Sequence, residues 1–199
     1  MRKLTYYVAT TLDGFIADPA GADPSGPGGI LTPTPDYVEQ IIAHYPETLP
    51  VMARQALGIT APGTRFDTVV EGRRSYQLGL DMGVTNAYPH LRHYVFSRTL
   101  GPSPDPSVDI VATDPVAKIR ELKAQDGLGI WLVGGGELAG ALHSEIDELI
   151  LKVNPVTVGA GIPLFGDKTP FSPHHHTLTD STALPSGVLF LTYTRTPTP

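Results

Sequence analysis

Short apolar runs, divided by turn residues and by stretches with helical spacing, set the rhythm of the chain. Lys3 to Leu12 sets Tyr6, Tyr7 and Val8 among threonines, a composition that suits a β-strand, and Asp13-Gly14 ends it with a turn. Residues 18–35 are rich in Pro, Gly, Ala and Asp and read as a loop. A helix follows, with Thr34 at its cap, Pro35 in its first position and Val38, Ile41, Ile42 and Tyr45 along one face. From Pro46 to Arg65 the pattern is too weak to assign an element. Phe66 to Glu71 reads as a strand that runs through Gly72 into a helical turn. His93–Ser97 and Val108–Ala112 are further strands. Asp114-Pro115 starts a helix with Val116, Ile119 and Leu122 inward and Lys118, Arg120, Glu121 and Lys123 outward. Ile130 to Val133 is continuously apolar, which marks a strand covered on both faces and makes Trp131 a core residue. A helix to about His143, a strand over Leu149–Val153 and a final strand over Gly187–Arg195 complete the series. No repeat or linker divides it, so the expectation is one α/β domain over residues 1–199 with a mixed sheet.

Composition narrows the chemistry. With 41% hydrophobic and 17% charged residues in 199, the chain can bury an ordinary core; 21 glycines and 20 prolines add tight turns and long loops. A net charge of -6 argues against a nucleic-acid or anionic-membrane surface, so an anionic ligand must be held by local arginines. The absence of cysteine excludes disulfides, a thiolate nucleophile and Cys-ligated metal centres. No apolar run approaches the ~18 residues of a membrane helix, and the threonine-bearing first run makes a poor leader, so a cytoplasmic protein is expected.

Three strand ends carry candidate chemistry. Val133-Gly134-Gly135-Gly136-Glu137-Leu138-Ala139 places three glycines between a buried strand and a helix, where backbone N–H groups can approach phosphate oxygens. A plain strand–helix crossover explains the same glycines equally well. The Rossmann reading of this run lacks its acid about 20 residues onward, where Lys152, Val153, Asn154 and Pro155 stand instead. Gly72-Arg73-Arg74-Ser75-Tyr76 and Phe96-Ser97-Arg98 deliver arginines and hydroxyls at two further strand ends, although each arginine taken alone also suits a solvated surface. Because ligands of open α/β sheets sit at strand carboxyl ends, the three together point to one extended polyphosphate ligand.

The chain is similar to the dihydrofolate-reductase-like fold, in the branch containing the reductase domain of bacterial riboflavin biosynthesis. The resemblance runs through Thr11-Leu12-Asp13-Gly14-Phe15-Ile16-Ala17, the three motifs above, and Asp147 through Pro155 to Gly161-Ile162-Pro163-Leu164-Phe165-Gly166. It implies a three-layer α/β/α fold with a mostly parallel mixed central sheet and an antiparallel C-terminal edge. It implies NADPH as hydride donor. Gly72, Arg73, Arg74 and Ser75 would hold cofactor phosphates, and Phe96, Ser97 and Arg98 would lie by the adenosine ribose and its phosphate. Val133, Gly134, Gly135, Gly136, Glu137 and Leu138 would wrap the pyrophosphate, with Ala9 and Ile16 flanking the nicotinamide. The implied substrate is a planar pteridine or ribosylaminopyrimidine, and the implied assembly a homodimer, for which the apolar final strand Val188–Tyr193 supplies a surface. A non-catalytic nucleotide- or flavin/folate-binding module on the same scaffold is the alternative.

The chain departs from that pattern at Glu71, where an apolar residue is usual, and in the long stretch from Ile30 to Asp67. Asp13 and Asp36 are weak candidates for contacting substrate or assisting protonation. Asp-Gly is also an ordinary turn, and a carboxylate in a first helical turn also suits the helix dipole. No metal site is expected: His174-His175-His176 has no acidic or histidine partner near it in sequence, and successive residues of an extended segment point to opposite faces. Adjacency of His143, Ser144 and Glu145 does not make a nucleophile–base arrangement.

Overall fold

The structure, a computed structural model, describes residues 1–26 and 28–196. In chain order the strands are β1 (Leu4–Thr11), β2 (Phe15–Ala17), β3 (Phe66–Gly72), β4 (Arg92–Phe96), β5 (Val108–Val111), β6 (Gly129–Leu132), β7 (Glu148–Asn154), β8 (Ile162–Pro163), β9 (His176–Ala183) and β10 (Leu189–Arg195). The helices are α1 (Pro35–His44), α2 (Val51–Ala56), α3 (Arg73–Asp81), α4 (Pro115–Ala124) and α5 (Gly136–Ala141), with 3₁₀ turns at Pro46–Thr48 and His143–Glu145. None of these helices is long and apolar enough to cross a membrane.

Eight strands form one sheet in the spatial order β5-β4-β3-β6-β1-β7-β10-β9. Pairings from β5 across to β7 are parallel, whereas β10 runs antiparallel to both β7 and β9. This is the mixed, mostly parallel α/β sheet with an antiparallel C-terminal edge that the resemblance implied. Strands β2 and β8 pair separately as a two-stranded ladder.

Both faces of the sheet are covered, and that explains the continuous burial of Ile130-Trp131-Leu132 in β6. On one face Tyr7, Val69, Trp131, Ile150 and Phe190 pack with Tyr37 and Ile41 of α1. Farther along that face Tyr76 of α3 packs on Val95 and Val108. On the other, Leu4, Tyr6, Val70 and Leu132 meet Ile119 and Leu122 of α4 and Leu138 and Ala139 of α5.

Four features differ from the sequence pattern. Lys123 does not point outward: it is buried, with Nζ 2.7 Å from Asp147 and donating to the Glu145 carbonyl at 3.0 Å. Its long stem suits the α4–sheet interface because the charge is paired there. The weakly patterned segment folds around Glu47, whose buried carboxylate accepts the N–H groups of Arg65 (2.8 Å) and Phe66 (3.0 Å) at the start of β3. The third difference is β9, a mostly exposed edge strand with no apolar alternation to announce it. Because β9 covers the outer edge of β10, the apolar final strand is paired on both sides within the chain. Finally, Thr34 sits at the cap of α1 but makes no side-chain cap bond; its hydroxyl donates to Asp36 instead, at 2.5 Å.

Candidate nucleotide and heterocycle site

Parallel pairing places the carboxyl ends of β4, β3, β6, β1 and β7 along one edge of the sheet, so the three glycine- and arginine-bearing motifs converge there. The Gly72 N–H donates to the Gly134 carbonyl at 3.4 Å, and the Val133 N–H donates to the Val70 carbonyl at 3.0 Å. A Cβ on Gly134 would stand 4.0 Å from Ser75 Oγ, so the start of α3 faces the glycine run directly.

The neighbouring glycines answer different demands. Gly136 lies against the chain just after β8: a Cβ there would be 2.3 Å from the Pro163 carbonyl oxygen and 2.7 Å from the Gly166 nitrogen. Gly135 has φ +65°, in the left-handed region, and a Cβ on it would meet nothing within 4 Å. Gly136 therefore serves the crossover, while Gly135 presents bare backbone to open space at the sheet edge. Arg73, Arg74 and Arg98, at the neighbouring strand ends, are exposed, with Arg73 near Thr99 (3.4 Å). Ser97 Oγ accepts the N–H groups of Thr99 (3.2 Å) and Leu100 (3.0 Å), which shapes the turn and leaves its proton available to a ligand. Phe96 and Leu138 are buried beneath, Val133 is half-buried and Glu137 is exposed.

Two strands along, Ala9 of β1 lies in register with Lys152 of β7, and Lys152 with Phe190 of β10. All three share the sheet face covered by α1, whereas Ile16 is buried in the core against the opposite face. The sequence pattern does not mark Lys152 as a functional group. Its ammonium nitrogen lies 3.9 Å from the centre of the Tyr7 ring and 5.8 Å from that of Tyr37. Desolvation by the surrounding protein pushes its pKa down to about 7. The sequence signal was a lysine inside the apolar run Leu149-Ile150-Leu151-Lys152-Val153.

The candidate carboxylates are occupied by their own chain. Asp13 accepts Thr11 Oγ1 (2.6 Å) and the N–H groups of Gly159 (2.7 Å) and Val158 (3.0 Å), tying the β1–β2 turn to the loop after β7. Asp36 accepts Thr34 Oγ1, the Tyr37 N–H (2.9 Å) and the Ser186 N–H (2.8 Å), joining α1 to the β9–β10 turn. Hydrogen bonds, that from Thr11 first, lower the pKa of Asp13; those from Thr34 and then Ser186 bring Asp36 to about 2. Both are ionised at neutral pH.

Residues 67–190 match the RibD C-terminal domain. The chain belongs to the RibD C-terminal domain family. Among its relatives is the uncharacterized protein YwjB of Bacillus subtilis (strain 168), 29% identical over 170 residues, or 84% of this chain and 85% of that one. Solved structures share the fold. A proposed riboflavin biosynthesis protein from Shewanella sp. PV-4 superposes with a TM-score of 0.71 at 24% identity, covering 99% of this chain and all of the other. The diaminohydroxyphosphoribosylaminopyrimidine deaminase/5-amino-6-(5-phosphoribosylamino)uracil reductase of Thermotoga maritima gives 0.63 at 14%, covering 98% of this chain and 57% of that larger protein.

Within this RibD C-terminal domain Glu71 is not a stray charge. It is buried, and its carboxylate lies 2.7 Å from Nε2 of the equally buried His93. Asn86 Oδ1 accepts the Tyr88 N–H at 2.9 Å, which fixes that oxygen toward His93 Nδ1, 3.0 Å away. Nδ1 is therefore the donor to Asn86, and Nε2 is the nitrogen turned to the Glu71 carboxylate. This triad braces the end of β3 just before Gly72. The histidine trio does have a histidine neighbour in space, since the His143 and His174 rings stand 4.6 Å apart and Arg195 lies 2.7 Å from His174 Nδ1. Glu145 is engaged by Arg120 at 2.7 Å, away from His143 and Ser144.

Proposed function

We propose that the protein is an NADPH-dependent reductase that transfers a hydride to a planar heterocycle of the ribosylaminopyrimidine or pterin type. The single observation that carries this reading is the convergence of Gly72 to Ser75, Ser97-Arg98 and Gly134 to Gly136 on adjacent strand ends. Membership of the RibD C-terminal domain family supports it. NADPH, when bound, supplies the hydride. Bare backbone at Gly135 and the exposed arginines fit a dinucleotide: Arg73, Arg74 and Ser75 meet phosphates, Arg98 the ribose phosphate, and Ala9 leaves room for the nicotinamide beside the sheet. The chain's work is to bind, orient and exclude water around two stacked rings. The test is NADPH oxidation followed across ribosylaminopyrimidine, dihydropterin, dihydrofolate and flavin acceptors, with NADPH affinity measured by calorimetry. Tight binding without turnover of any acceptor would favour the second reading, a nucleotide- or flavin/folate-binding module. One observation supports that alternative: neither Asp13 nor Asp36 has a proton to give.

Two variants test the cofactor assignment. Gly135→Val projects a side chain into the open space and strains a left-handed backbone position by about 1–2 kcal/mol. It is expected to keep a native circular dichroism spectrum and to weaken NADPH binding sharply; unchanged affinity would leave the glycine run as a crossover alone. Arg98→Ala removes charge-assisted hydrogen bonds worth roughly 1.5–3 kcal/mol, a loss of about ten- to a hundred-fold in NADPH affinity. NADH, which lacks the ribose phosphate, should bind as before. The NADPH preference should shrink with added salt. Equal losses for both cofactors would move Arg98 to the shared pyrophosphate.

A further inference from the structure

We propose that Lys152 is the group that meets the substrate's reacting bond, donating the proton that accompanies hydride transfer; this rests on the reductase reading above. Three observations lead to it. The cross-strand register sets Lys152 beside Ala9, the residue that the family resemblance places next to the nicotinamide. Lys152 is half-buried and its ammonium group makes no ion pair or hydrogen bond among the described residues, resting instead on the Tyr7 ring. Neither Asp13 nor Asp36 can serve as the acid, because both are held as carboxylates by backbone and hydroxyl donors.

An ammonium on a sheet face between aromatic rings is costly for folding, and with no partner among the described residues it is free to meet an acceptor atom that a ligand brings. The groups facing it are the phenols of Tyr7 from β1 and Tyr37 from α1, while Phe190 from β10 adds no charge. Tyr45 and Glu47 lie behind Tyr7. Desolvation is the cause of its lowered pKa, near 7, so the amine is poised to give and regain a proton at neutral pH. The substrate class that fits is a planar ring bearing a polarised C=N or C=O bond. As hydride from the reduced nicotinamide adds to the carbon, the π pair moves to the nitrogen or oxygen, which takes a proton from Nζ. The substrate gains two electrons, the nicotinamide loses two, and water recharges the amine.

The activity arm compares wild type, Lys152→Met and Lys152→Arg over the same acceptor panel. Lys152→Met should lose at least about 100-fold in kcat/KM, within the range of general-acid contributions, with NADPH affinity within about two-fold of wild type. The wild-type profile should fall as pH rises through about 7. That limb should vanish in Lys152→Met and leave the measurable range in Lys152→Arg, whose guanidinium stays charged. Unchanged kcat/KM in Lys152→Met overturns the proposal. A second arm needs no turnover: limiting trinitrobenzenesulfonate at pH 7, with modified lysines mapped by peptide mass spectrometry. Lys152 should react at least about ten-fold faster than Lys3, Lys118, Lys123 and Lys168, because far more of it is unprotonated, and NADPH should shield it. If no acceptor is reduced, fast labelling shielded by NADPH keeps Lys152 at the ligand site while the substrate assignment fails. Slow labelling, or labelling indifferent to NADPH that calorimetry shows to be bound, overturns the proposal; absence of NADPH binding overturns it together with the reductase reading.

Discussion

Glu71→Leu is expected to destabilise the protein by about 3–5 kcal/mol, because it strands one nitrogen of a fully buried histidine. For a chain of this size that corresponds to a fall in melting temperature of roughly 10–15 °C. Leucine is close to glutamate in volume, so packing alone should cost little. The loss comes from His93: its Nδ1 stays bonded to Asn86, but Nε2 faces leucine with no route to water. Replacing both partners, as Glu71→Leu with His93→Leu, should recover most of the loss. Asn86 keeps the Tyr88 N–H on its oxygen and Ser107 on its nitrogen even without the histidine. Urea denaturation with an unchanged slope is the measurement. A double variant that loses the sum of the two single losses would show that the pair does not act as a unit. Cofactor affinity in the single variant should fall as well, since Glu71 anchors the backbone that leads into Gly72.

The same triad shows where the sequence was readable and where it stopped. Strand identity was legible wherever burial on both faces left an apolar run, as at Ile130-Trp131-Leu132, or where a proline and a cap framed a helix, as at Asp114-Pro115. The converging glycine and arginine motifs were legible because each stands at a strand end, and parallel pairing needs no further information to align those ends. Polar burial was not. Lys123 reads as an outward residue, and the burial of Glu47, Glu71 and His93 has no sequence signal, because their partners lie 18 to 24 positions away or on other elements. No periodicity encodes such a pairing. β9 escaped for the opposite reason: an exposed edge strand is held by backbone hydrogen bonds to β10 and carries little apolar pattern. Lys152 combined both difficulties. Its strand was recognised, yet its role depends on which rings stand across the sheet, and Tyr7 and Tyr37 come from the other end of the chain.

That placement makes a second large effect measurable without any ligand. Lys152→Met is expected to stabilise the protein while disabling it. Folding moves the amine from an ordinary pKa near 10.5 to about 7, so between those values the unfolded chain binds the extra proton. The wild type therefore gains stability as pH rises from 7 toward 10.5, and carries its full charge-burial penalty below 7. A shift of this size corresponds to roughly 4–5 kcal/mol of differential interaction. Solvent reaching the half-buried side chain reduces the realised penalty to about 2–3 kcal/mol. Methionine keeps the length of the stem, adds no charge, and packs well against Tyr7. At pH 6 its melting temperature should exceed that of the wild type by about 5–10 °C. The advantage should narrow steadily at pH 8 and 9.5. A gain independent of pH would assign the effect to packing instead of charge. A loss at pH 6 would mean that the ammonium is stabilised by the Tyr7 face more than it is penalised by burial. A narrowing gain would show that the unpaired ammonium on that sheet face costs folding stability, the trade expected of a residue kept for function instead of packing.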